Sequence, residues 1–313
     1  MRTLVVERPG LLTTVQDEGR WGLQHLGVPV SGWMDDWSAR LANRLAGNAD
    51  GEALLEVTWL GPALRAEGAM SIAIAGAVFD VSVGGYRTRT PLACPVGDGA
   101  TIEFGERHRG TRAYLAVTGG IAVVPVLGSR ATDIRSGLGG LDGRRLQRGD
   151  RLPVGGSAYG GVDSLRNLPS PSWLSEEPRL RVLRASDDSS CNEQHFLRLC
   201  HAQYRLAAAS DRTGYRLMAD RPLPQAEGSL ISQPVVTGAI QLPPGGSPLL
   251  LMADRQTTGG YAVVAVVAAA DLPLAGQLGP GDSCRFVPCT WDQAREAAAD
   301  RARALDAIAA RIG

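Results

Sequence analysis

Short segments with alternating apolar and polar residues occupy most of the chain between Ala53 and Tyr159, and Gly or Asp-Gly separates most of them. This period of two is typical of half-buried strands, and glycine permits the tight turns that join antiparallel neighbours. The chain has 39 Gly and 19 Pro among its 313 residues. We therefore expect a mainly β fold, an antiparallel barrel or sandwich, without alternating βα units.

Three segments carry helical signals. A capped apolar stripe predicts a helix at about 36–46, and a polar segment predicts another at about 190–200. Thr290 and Gln293 form a capping-box pattern before an Ala-rich tail, which predicts a helix at 291–311. The run AVVAVVAAADLPLAG is expected to be a buried strand that leads into a turn.

The chain also divides by composition. Residues 160–178 are rich in Gly, Pro and Ser, which predicts a linker. It would separate an N-terminal β-domain at 1–159 from a C-terminal β-domain at 179–289, followed by the C-terminal helix at 290–313. Four segments of the first half recur in the same order in the second. We therefore expect an internal duplication, and a ligand in a cleft between related domains.

Composition excludes several functions. The formal net charge is zero and the pI is near 6.9, so nucleic acid is not an expected partner. The chain contains no lysine, which excludes a P-loop lysine, a Schiff-base lysine and a covalently biotinylated lysine within it. No apolar run reaches the roughly 18 residues of a membrane span, and the N-terminus does not resemble a signal peptide.

The five cysteines are scattered and form no CxxC motif, which indicates reduced thiols in a cytoplasmic protein. Cys191 and His195 lie four residues apart on a predicted helix. Without further ligands at metal spacing, we expect a buried thiol and a partly exposed histidine, and no metal site.

A polar cluster follows the apolar block 249–253, which is typical of a buried strand. The cluster comprises Asp254, Arg255, Gln256, Thr257, Thr258, Gly259 and Gly260. A carboxylate, a guanidinium, an amide and two hydroxyls beside a glycine turn can bind a small polar ligand. The alternative is a satisfied turn in which Asp254 and Arg255 form a salt bridge.

Further candidates lie elsewhere in both halves. Arg20 and Arg212 occupy equivalent places, near Asp17 and Asp211 respectively, and arginine binds carboxylate or phosphate in two-point fashion. His25 can act as a general acid or base, or it can be structural.

Arg130 lies in a long glycine-rich loop at 128–143, which is either functional or a surface excursion.

Four motifs together resemble one family. They are GLLTTVQDEGRWGLQHLGVPVSGWMD, PVLGSRATDIRSGLGGLDGRRLQRGD, SDRTGYRL and VVTGAIQLPPGGSPLLLMADRQTTGGY. The chain resembles the allophanate hydrolase subunit 2 family, also named the biotin-dependent carboxyltransferase family, from about residue 4 to 287. The resemblance implies two cyclophilin-like β-barrel domains and a stable complex with a smaller, KipI-like protein.

The resemblance leaves three functions open. In 5-oxoprolinase complexes a third, lactam-utilisation subunit joins, and 5-oxoproline is opened to glutamate with ATP, together with Mg. A KipA-type member would be a regulatory binding module. A carboxyltransferase would move a carboxyl group from carboxybiotin, carried by another protein, to urea or a similar amide.

We expect the first function. Asp254, Arg255, His25 and Asp17 would be catalytic, and the other candidates named above would bind substrate or nucleotide.

Overall fold

The computed structural model describes residues 2–156, 165–168, 178–185, 191, 193–224 and 231–310. These residues fall into two compact units. The first takes its residues from 1–20, 31–175 and 305–313, and the second from 21–30 and 176–304. Most of the predicted linker at 160–178 lies outside the described residues, so the predicted domain boundaries stay predictions.

The first unit is a curled, half-barrel sheet of ten strands. The strands are β1 (Thr3–Arg8), β2 (Leu12–Gln16), β3 (Leu54–Thr58), β4 (Ala63–Glu67), β5 (Met70–Val83), β6 (Tyr86–Arg89), β7 (Leu92–Val96), β8 (Thr101–Val117), β9 (Arg151–Pro153) and β10 (Arg166–Asn167). Each described pairing in this sheet is antiparallel. Its inner face buries an aliphatic core that includes Leu55, Ile72 and Leu115.

Two pairs of predicted strands are single long strands. β5 joins MSIAIAG to FDVSVGG, and β8 joins ATIEFG to AYLAVTGG. The glycine inside β5, Gly76, has φ 95° and lies where the register between β5 and β8 shifts. Such an irregularity is a β-bulge, which bends a strand without ending it. A glycine between two apolar runs therefore marked a bulge in this case and not a turn.

The helix predicted at 36–46 is confirmed as α1 (Asp36–Leu45). The side chain of Asp35 caps it, because Oδ1 accepts a hydrogen bond of 2.9 Å from the N–H of Ser38. Its apolar stripe, which includes Trp37 and Leu41, packs against sheet residues such as Tyr114. α1 thereby covers one face of the sheet and fixes the segment that leads into it.

The second unit closes into a barrel of seven strands, with a separate two-stranded ribbon. The barrel contains β11 (Arg179–Arg184), β12 (Gln203–Leu206), β13 (Gly214–Met218), β15 (Ala239–Leu242), β16 (Leu249–Leu251), β18 (Ala262–Val267) and β19 (Ser283–Pro288); the ribbon contains β14 (Gln233–Pro234) and β17 (Thr258–Gly259). Fully buried Tyr204 and Phe286 stack inside it, with ring centroids 5.4 Å apart. The predicted mainly β architecture is confirmed.

Three further helices are α2 (Glu193–His201), α3 (Leu272–Gly276) and α4 (Trp291–Ala310). The described part of α2 begins three residues after the predicted start, and the preceding residues 186–190 and 192 lie outside the description. α3, which follows a 3₁₀ turn at Ala269–Asp271, replaces the expected simple turn. Pro273 in its first turn suits a helix start, because proline has no N–H to leave unpaired.

The capping box of α4 is confirmed in both directions. The N–H of Thr290 donates to Gln293 Oε1 at 2.9 Å, and the N–H of Gln293 donates to Thr290 Oγ1 at 3.2 Å. Cys191 is buried as expected, but His195 is buried too, at 6% exposure, where partial exposure was expected. His195 lies on the apolar side of α2, where it shares the buried face with Phe196 and Leu199.

A search of the described helices finds no stretch with both the length and the apolar content of a membrane span.

Candidate functional site

A buried ion pair stands at the centre of the predicted polar cluster in the second unit. Asp254 receives two hydrogen bonds from Arg212, from Nε at 2.8 Å and from Nη2 at 2.9 Å. Both side chains are less than a tenth exposed. The backbones support the pair, because the N–H of Asp254 donates to the carbonyl of Arg212 at 2.9 Å. The salt bridge that the sequence suggested between Asp254 and Arg255 is replaced by one between Asp254 and Arg212.

Arg255 is the other buried cation of the cluster and is 3% exposed. Its Nε donates to the carbonyl of Val235 at 3.3 Å, and no carboxylate pairs with it among the described residues. Burial lowers the pKa of Arg255, whereas a neighbouring carboxylate would raise it. A buried guanidinium normally has an anionic partner, so Arg255 is the strongest signal for an anionic ligand in this unit.

The residues after Arg255 form a polar rim. Gln256 Nε2 donates to Gln241 Oε1 at 3.4 Å, and Gln241 Nε2 donates to the carbonyl of Tyr261 at the same distance. A β-carbon on Gly259 would lie 2.4 Å from Gln241 Nε2, so a side chain there would displace this amide. Glycine at 259 therefore permits the close approach that the sequence predicted.

The other members of this rim are more open to solvent. Thr257 is half-buried, and its carbonyl accepts from the N–H of Val235 at 3.0 Å. Thr258 and Gly260 are exposed. Their predicted ligand-binding roles stay predictions, and their positions beside Arg255 along the chain are compatible with them.

In the first unit, Asp17 holds a loop. Its Oδ1 accepts from the N–H of Gly19 at 2.9 Å and from Ser129 Oγ at 2.6 Å, and its Oδ2 accepts from the N–H of Arg130. A carboxylate with three such donors is a structural anchor for the segment around Ser129. Its predicted catalytic role stays a prediction.

Arg20 and Arg130 bind the same loop. Arg20, 1% exposed, donates from Nη2 to the carbonyl of Ala131 and from Nε to that of Val126. Arg130 Nε donates to the carbonyl of Val123 at 2.8 Å. The first part of the glycine-rich loop is therefore a built element and not a loose surface excursion. The structure brings Asp17 and Arg130 together, and Arg20 donates to the same loop.

His25 lies in a 3₁₀ turn, Gln24–Leu26, and is exposed. Its side chain makes no hydrogen bond with any residue that the structure describes. The structure thus gives His25 neither a positioning partner nor a buried structural role, and its predicted acid–base role stays a prediction.

Three residues of the first unit that the sequence did not single out carry buried polar atoms without partners. They are Gln16 Oε1, Ser31 Oγ and Trp33 Nε1. The one local signal is the Ser31-Gly32 pair, whose φ values of 57° and 86° are both left-handed. The sequence shows the glycine but not the backbone that its neighbour shares.

A cluster on β5 and β8 offers ligand atoms of a kind that metals use. Asp80, Glu106 and His108 each present one such atom, all within 4.8 Å of one another, beside an open groove of about 680 Å³. His108 and then Arg89 lower the pKa of Asp80 through hydrogen bonds. Because the cationic Arg89 already occupies Asp80 at 2.9 Å, a surface ion network describes the cluster well.

Comparison with known proteins gives a consistent result. The family model described as "Carboxyltransferase domain, subdomain A and B" matches residues 26–288. The chain is 33% identical to the C-type subunit of 5-oxoprolinase from Escherichia coli (strain K12), over 99% of this chain and 98% of that protein.

Two solved structures are also similar. The chain aligns with TTHA0988 at 38% identity and a TM-score of 0.82, over 92% of this chain and 55% of that one. It aligns with the K. lactis urea amidolyase at 30% identity and a TM-score of 0.88, over 97% of this chain and 20% of that one. The chain thus spans about half of TTHA0988 and a fifth of the amidolyase.

Proposed function

Because the chain belongs to the carboxyltransferase-domain family, we propose that it is the larger subunit of an ATP-dependent amidohydrolase complex that opens 5-oxoproline to glutamate. The observation that carries the proposal is Arg255, a buried guanidinium without a carboxylate partner in the described part of the chain. 5-Oxoproline is an anion at neutral pH, and its carboxylate would supply the missing partner.

The chemistry requires activation of an unreactive lactam. Transfer of the γ-phosphoryl group of ATP to the lactam oxygen releases ADP and makes that oxygen a leaving group. Water then adds to the same carbon, and cleavage of the C–N bond together with loss of phosphate gives glutamate. Magnesium would accompany the nucleotide, and a smaller, KipI-like partner, with a lactam-utilisation subunit, would complete the enzyme.

Within this scheme the second unit binds the anionic end of the substrate. Arg255 would hold the carboxylate by two parallel N–H···O bonds, and the Gln241–Gln256 pair would border it. The Arg212–Asp254 pair would act as a neighbouring strut, because both oxygens of Asp254 are already engaged by Arg212.

The test uses the reconstituted complex with Arg255→Ala and Arg255→Met. We expect both variants to lose 5-oxoproline-dependent ATP turnover by at least a hundredfold. Methionine keeps most of the side-chain volume and removes a buried unpaired charge, so Arg255→Met should fold with unchanged or higher stability. Turnover by isotopically or colorimetrically measured phosphate release, combined with thermal unfolding, separates the two effects.

Arg205→Ala is the matched control, because this arginine is exposed on the same barrel. Its turnover should equal that of the wild type. Full turnover by Arg255→Met would contradict the assignment of Arg255.

A second candidate function, carboxyl transfer from carboxybiotin to an amide, is favoured by the similarity to urea amidolyase. It requires a biotinylated protein in trans, since this chain has no lysine. Parallel assays with 5-oxoproline, urea and allophanate distinguish the two functions, and partner binding without any turnover would indicate a KipA-type regulator.

A further inference from the structure

Ser31 adopts a backbone conformation that costs free energy. Its φ of 57° is left-handed, and that of the following Gly32 is 86°. At Gly32 the reason is visible, because a β-carbon there would lie 2.9 Å from both the carbonyl oxygen of Asp17 and the N–H nitrogen of Gly19. Ser31 carries a β-carbon in the same backbone region, where glycine would be the unstrained residue. Strain of this kind persists where the surroundings enforce it, and it clusters at functional sites.

The segment that holds Ser31 is fixed by a buried network. Glu56 Oε2 accepts from the N–H of Met34 at 3.0 Å and from the hydroxyl of Tyr114 at 2.9 Å. The Tyr114 oxygen in turn accepts from the N–H of Asp35 at 2.8 Å. These groups are at most 3% exposed. The segment before α1 is therefore rigid, which is the condition for a preorganised ligand site.

Three polar atoms at this rigid turn are not used by the protein. Gln16 Oε1, Ser31 Oγ and Trp33 Nε1 have no hydrogen-bond partner, and their residues are 0%, 5% and 9% exposed. The N–H of Trp33 donates to the carbonyl of Asp17 at 3.2 Å, so the segments that carry Gln16 and Trp33 are in direct contact. Buried polar groups are almost always paired, and three unpaired ones around one turn call for a ligand.

The orientation of Gln16 is fixed by its bonds. Its Nε2 donates to Thr14 Oγ1 and to the carbonyl of Thr132, both at 3.0 Å, so the free atom is the oxygen. The set therefore contains a hydroxyl, an indole N–H donor and an amide acceptor. A carboxylate, which only accepts, would leave the Gln16 oxygen opposed to another acceptor. An uncharged amide supplies both an acceptor and a donor.

We propose that Gln16, Ser31 and Trp33 form a subsite for an uncharged amide, the lactam or ureide group of a small ligand. The carbonyl oxygen accepts from Ser31 and from the Trp33 indole, and the amide N–H donates to Gln16. Ser31 and Gln16 thereby become specificity-determining residues. The identity of the natural ligand as a lactam rests on the proposed function, whereas the subsite itself rests on the three unpaired atoms.

The test observes the Trp33 indole directly in the full-length ¹⁵N-labelled chain. Trp33→Phe identifies its Nε1–H cross-peak and leaves an aromatic ring for Arg40, which lies 5.6 Å above the ring centroid. The probes are 2-pyrrolidinone for a lactam, 2-imidazolidinone for a ureide, and N-methyl-2-pyrrolidinone, which has the carbonyl but no N–H.

We expect saturable shifts of the Trp33 peak with the first two probes. The tighter of them names the source of the group. N-methyl-2-pyrrolidinone should bind at least tenfold more weakly. The peak of the 70% exposed Trp291 should stay unmoved.

Ser31→Gly separates a binding role from a structural one. Glycine relieves the left-handed backbone, so the melting temperature should be unchanged or higher, while affinity for 2-pyrrolidinone should fall about tenfold. An unmoved Trp33 peak, equal binding of the N-methyl probe, or undiminished binding by Ser31→Gly would each overturn the subsite.

This readout needs neither ATP nor a partner. Probe binding in a protein whose complex has no 5-oxoproline turnover would contradict the proposed function and uphold the subsite, and the converse result would do the reverse.

Discussion

Two arginines in the second unit show what separates a structural cation from one that awaits a ligand. Arg212 and Arg255 are both less than a tenth exposed, and each directly follows an aspartate in the chain. Arg212 has a two-point carboxylate partner in Asp254, and Arg255 has a single long bond to a backbone carbonyl. Charge that is buried and paired stabilises or is neutral, whereas charge that is buried and unpaired is destabilising until an anion binds.

The sequence identified this cluster but could not assign the partners within it. Adjacent positions 254 and 255 suggested a pair, although neighbours on an extended backbone point to opposite sides. The actual pair joins residues 42 positions apart, which only the alignment of the segments at 212–213 and 252–254 brings together. Gln16, Ser31 and Trp33 were missed for a related reason. Their importance lies in the lack of partners, which no local pattern records.

A prediction at this scale concerns the ion pair of Arg44 and Asp50. Arg44 Nε and Nη2 donate to the two Asp50 oxygens at 2.7 and 2.9 Å. The hydrogen bond from Arg44 lowers the pKa of Asp50 below its ordinary value. A lowered folded-state pKa contributes stability above the unfolded-state pKa of about 3.9, and this contribution disappears as pH falls through the folded-state value.

We expect Asp50→Asn to reduce the free energy of unfolding by about 1 kcal/mol at pH 7, after allowance for partial exposure, and by close to zero near pH 2.5. Urea titrations of both proteins across this range measure the difference. Asp142→Asn, which removes a 73% exposed partner of Arg144, should cost less than about 0.5 kcal/mol throughout. A pH-independent difference for Asp50→Asn would contradict the linkage.

At the scale of elements, the sequence predicted helices better than strand ends. The helix signals are local, since Asp35 and the Thr290–Gln293 box supply caps that act within four residues. Strand ends depend on pairing with distant residues. β5 and β8 continue through Gly76 and Gly110 because each supports the other across the sheet, with a shifted register that no short window reveals.

The capping box gives a prediction at this scale. Thr290→Ala removes the oxygen that accepts the Gln293 N–H, and we expect the free energy of unfolding to fall by about 1 kcal/mol. Helix content by circular dichroism and urea titration measure the effect. Arg303→Ala, on the exposed side of the same helix, removes only an i,i+3 pair with Asp300 and should cost less than about 0.5 kcal/mol. Equal effects of the two substitutions would contradict the importance of the cap.

At the scale of the whole molecule, composition and similarity constrain function in different ways. The absence of lysine and the zero net charge exclude chemistry, because they remove covalent biotin from this chain and any general attraction for polyanions. Similarity adds a direction. The chain covers 98% of the E. coli 5-oxoprolinase relative but a fifth of the K. lactis urea amidolyase. The family could be recognised from four motifs, whereas the ligand depends on side-chain pairing that the motifs do not specify.

Ligand binding should therefore appear as a change in the stability of the whole chain. A ligand that binds only the folded state stabilises it by RT ln(1 + [L]/Kd), about 2.7 kcal/mol at a hundredfold excess over Kd. We expect 5-oxoproline to raise the melting temperature of the full-length chain and Arg255→Met to abolish the rise, because the carboxylate then has no cation to pair with. Uncharged 2-pyrrolidinone should stabilise both proteins equally, since it lacks the carboxylate. If 5-oxoproline stabilised Arg255→Met as much as the wild type, the anionic end of the substrate would have to bind elsewhere.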